Sequence, residues 1–250
     1  MEKNFVWRAI ALALLVVVLP GRLVAGPPLA IDDPGVLDPG QWEIIVAATT
    51  ASTNEGEAYQ APLLDVSYGL TPNTQVSASM PYVFVSPDND SSGSDFGNLA
   101  IGYKWRFVNN DQLQVAFAPA YAFGIRLSAA LRGVGDETDL LFLPLNFQYE
   151  IGNWSLNGEF GYVSVESADD ALGYGAALSR PVGERTAIMF ELYGGSETDF
   201  DNDDLNFHIG FDTELRPDFH LLFSAGSGLR EPSGTAELDY DVFLGVQYFR

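Results

Sequence analysis

Seven charged side chains recur at positions that could line a path for small solutes. Five are carboxylates and two are cations: Glu43, Asp65, Glu159, Glu191, Asp212, Lys104 and Arg106. A ring of carboxylates raises the barrier for anions, so this set predicts a path that favours cationic or neutral solutes. The same charges could instead pair across the interior and hold its shape or plug it. The sequence leaves both interpretations open.

His208 and His220 are the only histidines, and either could act as a general base. A lipase embedded in a membrane must present Ser and His toward lipid, whereas both histidines have the inward phase of their strands. They also lie at opposite ends of a predicted strand pair, and the chain has no Gly-x-Ser-x-Gly motif. We therefore predict no enzymatic activity and no cofactor.

Two acidic segments resemble the start of a calcium-binding loop, at 88–93 and 199–204. A complete twelve-residue loop ends in a bidentate Glu, but the closing positions here are Leu99 and Gly210. We expect solvated acidic loops and no metal site.

Strands must position these side chains. Apolar residues alternate with small or polar ones over 99–107, 141–150, 205–215 and 238–248, which is the period of a β-strand with one apolar and one wet face. Turn signals divide the chain into twelve strands that start near Trp42, Gln60, Thr74, Gly97, Leu113, Thr138, Trp154, Ala171, Thr186, Leu205, Phe219 and Leu238.

The connections between these strands alternate in length. Short ones fall at 71–73, 109–111, 152–153, 181–185 and 216–218, and longer ones near 51–59, 86–96, 124–137, 166–170, 196–204 and 229–237. Short periplasmic turns and long extracellular loops are typical of bacterial membrane barrels. We predict an all-β, 12-stranded antiparallel transmembrane up-and-down β-barrel. The inner face of small, polar and charged residues disfavours a soluble barrel, because such residues cannot fill a dry core.

Aromatic residues mark one edge of the predicted membrane span. Trp and Tyr prefer the interface between membrane and water. Trp42, Trp105, Trp154 and Tyr248 have the outward phase and lie toward the short turns. We predict that they form a periplasmic girdle.

The N-terminus predicts export. Lys3 and Arg8 precede an apolar run that ends near a small-residue cleavage site at Ala25, as in a secretory signal peptide. The predicted organisation is a signal peptide at 1–25, a periplasmic lead at 26–41 and an outer-membrane barrel at 42–250. No later segment approaches the length of a membrane helix.

The predicted mature chain is strongly acidic. Without residues 1–25 it carries 9 basic and 33 acidic residues, a formal charge of −24, and it has no Cys. This charge disfavours nucleic acid as a partner. The expected partners are outer-membrane lipid, lipopolysaccharide, the barrel-assembly machinery and a small-molecule solute.

The segment after the signal peptide contains Asp32-Asp33-Pro34-Gly35, followed by Gly40-Gln41-Trp42. It resembles the opening of the "MetA-pathway of phenol degradation" family of outer-membrane transporters. This resemblance implies a barrel for uptake of aromatic or hydrophobic compounds. Asp32 and Asp33 in a Pro/Gly-rich stretch could also form a turn that tucks the lead into or beneath the lumen.

Two functions remain open from the sequence. The first is passive transport of small, hydrophobic or aromatic solutes through an acidic lumen. The second is a structural or surface-interaction barrel, with a lumen closed by side chains and with acidic extracellular loops that make the contacts. A barrel of twelve strands encloses limited space, which is compatible with either.

Overall fold

The computed structural model describes residues 27–88, 92–124, 134, 138–166, 169–200, 202–230 and 237–250. The predicted signal peptide lies outside these ranges. In the described part of the chain, no helix is long and apolar enough to cross a membrane. The β-segments in chain order are β1 Trp42–Thr53, β2 Gly56–Thr71, β3 Thr74–Pro87, β4 Gly93–Phe96, β5 Leu99–Asn109, β6 Leu113–Phe117, β7 Ala120–Phe123, β8 Leu140–Ile151, β9 Trp154–Val165, β10 Ala171–Pro181, β11 Thr186–Glu197, β12 Leu205–Arg216, β13 Phe219–Arg230 and β14 Leu238–Phe249.

These segments form one closed barrel of twelve strands. β4 and β5 lie end to end along β3, and β6 and β7 lie end to end between β5 and β8, so each of these two pairs makes a single barrel strand. β1 pairs with both β2 and β14, and this pairing closes the sheet. All pairings between neighbours are antiparallel. The predicted fold class is confirmed.

Prolines account for the interruptions in this part of the wall, because a proline has no N–H to donate to a neighbouring strand. The backbone bonds that remain use the proline carbonyls. Gly97 N donates to Pro81 O at 2.9 Å, Tyr103 N to Pro119 O at 3.0 Å, and Ala118 N to Pro144 O at 3.1 Å. The ladder is therefore shifted at these points but remains connected.

Several predicted boundaries were wrong, most of all at the first connection. Only Asn54 and Glu55 separate β1 from β2, where a loop near 51–59 was predicted. The turn is closed by Thr53 Oγ1, which donates to Gly56 O at 3.2 Å and accepts from Glu55 N at 3.2 Å. Polar residues suggested a loop, but a strand that rises above the membrane tolerates them. The second, fourth and sixth predicted strands begin at Gly56, Gly93 and Leu140.

The two faces of the wall differ as predicted outside and only partly as predicted inside. Large apolar side chains cover the outer face; Ile209, Phe160 and Leu244 are 58%, 52% and 52% exposed. The inner face was expected to be wet throughout. Near the longer connections it instead carries two buried apolar clusters, formed by Ala100, Ala120, Ala122, Leu140 and Phe142, and by Val83, Val85 and Val134.

Candidate functional site

The N-terminal lead occupies the lumen. Residues 27–37, which we name the plug segment, run upward from the mouth that carries the short turns, and Leu29, Ile31 and Asp32 are 5%, 4% and 3% exposed. The sequence predicted a periplasmic lead, with a turn at Asp32 and Asp33 that could tuck it into or beneath the lumen. Buried backbone groups need hydrogen-bond partners, and the inner wall supplies them at several heights.

Two glutamates of the wall hold the backbone of the plug segment. Glu191 Oε2 accepts from Ala30 N at 2.8 Å, and its Oε1 accepts from Ile31 N at 2.7 Å. Glu159 Oε2 accepts from Asp32 N at 3.2 Å and from Asn146 Nδ2 at 2.7 Å. In this state both carboxylates that were predicted to attract cations are occupied by N–H donors.

An ion pair ties the same segment to the opposite part of the wall. Lys104 Nζ lies 2.7 Å from Asp32 Oδ2 and donates to Asp33 O at 2.8 Å. Both charged side chains are buried, so each depends on the other for compensation. Asn146 Nδ2 also donates to Asp32 O at 3.0 Å. The predicted motif residue Asp32 is therefore a central anchor of the plug segment.

Asp33 shapes the turn at the base of the segment. Its Oδ1 accepts from Gly35 N at 2.5 Å, which is the geometry of an Asx turn. The chain then leaves the barrel past Gly69 on β2, which bonds Gly40 N and Gln41 O at 2.9 and 3.0 Å. A Cβ at Gly69 would lie 2.1 Å from Asp38 O, so the close approach requires glycine.

Apolar contacts also hold the plug segment, and we call the wall residues that make them the seat. Leu29 and Ile31 pack with Ala177 and Tyr193 on β10 and β11. A Cβ at Gly175 would lie 2.4 Å from Ile31 Cγ2, so the absence of a side chain there makes room for the plug segment. On β13, the Ser224 hydroxyl donates to Pro28 O at 2.5 Å.

A polar cavity of about 240 Å³ lies between the plug segment and the wall. Glu43, Asp65 and Lys104 line it together with Asp32 and Asp33 of the segment. Glu43 accepts from Gln247 Nε2 at 2.6 Å. The structure thus brings three of the seven predicted lumen charges and both predicted motif residues to one acidic compartment, in the half of the lumen near the short turns.

Glu159 and Glu191 hold the plug segment, and the two remaining predicted charges, Arg106 and Asp212, lie nearer the mouth that carries the short turns. Arg106 donates to Gln114 Oε1 at 3.0 Å and to Pro72 O at 2.9 Å. Asp212 lies 2.7 Å from His220 Nδ1, and both are partly exposed. Neither group contacts the plug segment through a described hydrogen bond.

The four aromatic residues predicted to form a girdle stand on the outer face. Trp42, Trp105, Trp154 and Tyr248 are 44%, 49%, 41% and 42% exposed. Arg180 lies over the Trp154 ring at 5.2 Å. Their interfacial role stays a prediction.

The sequence did not predict that Glu191, His208 and Asp241 would form one group in the lumen. The register aligns Glu191, His208, Gly226 and Asp241 in a single row across β11 to β14. His208 Nδ1 lies 2.8 Å from Glu191 Oε2, and its Nε2 lies 2.7 Å from Asp241 Oδ2. Gly226 lies between His208 and Asp241 in this row and leaves space for a direct bond across two strands. The sequence contains all of these residues, but their alignment can be recognised only when the strand register is known.

In the described ranges, no three His, Asp or Glu side chains are arranged to hold a metal ion. The closed 12-stranded wall with an apolar outer surface defines a β-barrel of the bacterial outer membrane.

Solved structures share this fold. The chain is similar to an outer membrane channel from Pseudomonas putida F1, with a TM-score of 0.71, 13% identity, and 87% of this chain and 98% of that chain covered. The translocator domain of the autotransporter NalP from Neisseria meningitidis gives 0.63, 13%, 96% and 99%. The CymD monoaromatic hydrocarbon channel gives 0.52, 9%, 85% and 89%. No model of a known family matches the chain, and no curated protein matches its sequence.

Proposed function

We propose that this chain is a gated outer-membrane channel that passes small apolar or aromatic solutes passively, and that the plug segment closes it in the state described. The observation that carries the proposal is the mode of closure. The segment precedes β1 and is held in the lumen by hydrogen bonds, one ion pair and a small apolar seat. Such contacts can break and re-form, which a gate requires.

The inner surface supports the proposed solute class. Near the longer connections, the alanines of the first apolar cluster pack with Leu140 and Phe142 on the inner face of the wall, so this part of the interior is apolar. Burial of apolar surface favours an apolar solute at about 25 cal/mol per Å². The resemblance to the phenol-degradation family and the likeness to a monoaromatic hydrocarbon channel support the same class. Contacts with lipopolysaccharide and the barrel-assembly machinery stay predictions from the sequence.

Deletion of residues 27–37 tests the proposal. In planar bilayers we expect the deletion variant to carry a steady current severalfold larger than that of the intact chain. A synthetic peptide of residues 27–37 should restore the block when added in solution, and a scrambled peptide of equal composition should not. Resistance of the folded barrel to SDS at room temperature provides the control for folding.

Uptake into liposomes then tests the solute class. The deletion variant should admit a neutral aromatic compound faster than a sugar of similar size. Equal rates would contradict the apolar preference and leave only a general pore.

The runner-up function is a structural barrel with a permanently closed lumen. The deep burial of Leu29, Ile31 and Asp32 is the observation that favours it. A deletion variant that folds but carries no current would support this function and would overturn the channel.

A further inference from the structure

The titratable ring of His208 contacts Glu191, one of the two carboxylates that hold the plug segment. Glu191 uses both oxygens for the backbone of the segment, and the oxygen that accepts from Ala30 N also faces His208 Nδ1. The second ring nitrogen faces Asp241. All three side chains are almost fully buried.

This geometry points to an imidazolium. A carboxylate only accepts hydrogen bonds, and a neutral imidazole has one donor and one acceptor nitrogen. With a carboxylate at 2.7–2.8 Å from each nitrogen, an imidazolium satisfies both contacts, because both of its nitrogens donate. The charges then partly compensate, because one imidazolium lies between two carboxylates.

The other neighbours of the ring do not provide an alternative charge. Tyr193 on β11 stacks on the imidazole with ring centroids 4.7 Å apart, and its hydroxyl lies 3.3 Å from Nε2. On β13 the paired residue is Gly226, and a Cβ there would lie 2.3 Å from His208 Cδ2. The titratable groups seen in contact with the ring in the described residues include Glu191 and Tyr193 from β11 and Asp241 from β14.

We propose that His208, as an imidazolium, positions Glu191 to hold the plug segment, and that loss of its proton releases the segment. This inference rests on the proposed channel function. Without the proton, one carboxylate faces a ring nitrogen that no longer donates, and two buried carboxylates share a site that lacks a counter-charge. Glu191 then reorients toward water and gives up Ala30 N and Ile31 N.

The ring itself provides the first test. With histidine labelled by ¹⁵N, the chain gives signals from two rings only, and His220→Gln identifies which is which. We expect both nitrogens of His208 to be protonated at pH 7 in the intact folded chain. A neutral ring at pH 7 would overturn the proposal.

Conductance between pH 6 and pH 9.5 provides the second test. The open probability of the intact chain should rise about tenfold or more with pH, the scale expected when a charge-assisted hydrogen bond is lost. His208→Gln should be open at low pH and lose this dependence. His220→Gln, which alters a histidine paired with Asp212 at the periplasmic mouth, should keep it.

The outcomes separate this inference from the function on which it rests. If deletion of residues 27–37 gives no current, the channel itself is wrong. If the deletion variant conducts but the intact chain shows no pH dependence, or His208→Gln keeps the dependence, then only the role of His208 is wrong.

Discussion

Replacement of Gly175 by Ala should loosen the plug segment without a change in charge. The new methyl group would start 2.4 Å from Ile31 Cγ2, whereas carbon atoms in contact lie about 3.5–4.0 Å apart. Ile31 must therefore move by more than 1 Å. Overpacking of this kind costs about 1–3 kcal/mol, and at 1.36 kcal/mol for each factor of ten the displaced population should rise about 5- to 150-fold.

Thiol labelling measures this population directly, because the chain has no native Cys. Leu29→Cys places one buried thiol in the plug segment, and a maleimide reagent reacts with it only when the segment leaves its seat. The labelling rate should rise by the factor given above when Gly175→Ala is added. The matched control is Gly173→Ala on the same strand, where a Cβ would have only ordinary contact with Phe142 at 3.4 Å.

Equal labelling rates in the two alanine variants would refute the reasoning. A Cβ at Gly175 would also lie 3.0 Å from Leu192 O and 3.1 Å from Tyr193 Cβ, so the wall must be checked separately. Migration of the unheated barrel in SDS gels serves this purpose. A variant that labels fast and also loses the folded band would not count as support.

Three further predictions follow from the charges. Lys104→Gln should raise the labelling rate of the Leu29→Cys thiol about tenfold or more, since it leaves Asp32 without its cation. The double variant with Asp32→Asn should label more slowly than Lys104→Gln alone. Additive effects of the two substitutions on the labelling rate would contradict the coupling. In the chain without residues 27–37, Glu159→Lys should move the reversal potential toward that of anions, and an unchanged potential would remove Glu159 from selectivity. Bonds from the Tyr121 hydroxyl and Gly124 N–H hold the pKa of Asp139 below its ordinary value. They therefore stabilise the contact between the ends of β7 and β8 at neutral pH, and this contribution is lost as the pH falls through the lowered pKa. Tyr121→Phe should raise the pKa of Asp139, as measured by an NMR titration.

The wall was readable from the sequence because two-residue alternation is a local signal. It placed nine of the twelve strand starts where the structure has them, and it gave the inward phase of Glu159, Glu191 and His208. Boundaries failed where polar residues continue a strand beyond the membrane, as at Gly56. Interruptions within a strand, such as that at Ala118-Pro119, were not predicted, because they depend on hydrogen bonds to neighbouring strands.

The position of the plug segment inside the lumen could not be predicted in the same way. The bonds from Ala30 and Ile31 to Glu191 join residues about 160 positions apart, and they use backbone donors that every residue except proline carries. No side-chain pattern marks such a contact. Only Asp32 and Asp33, in a turn-forming stretch, indicated that the lead turns toward the barrel.

The use of backbone donors has a consequence for how such a chain can evolve. Glu191 and Glu159 bind N–H groups at residues 30, 31 and 32, so substitutions at these positions leave three of the bonds intact as long as proline is avoided. These three bonds therefore place no demand on the side chains at residues 30–32, which are constrained instead by the ion pair of Asp32 and by the apolar seat. Related barrels could acquire different solute preferences through substitutions in the plug segment alone, with the twelve strands and their assembly unaltered.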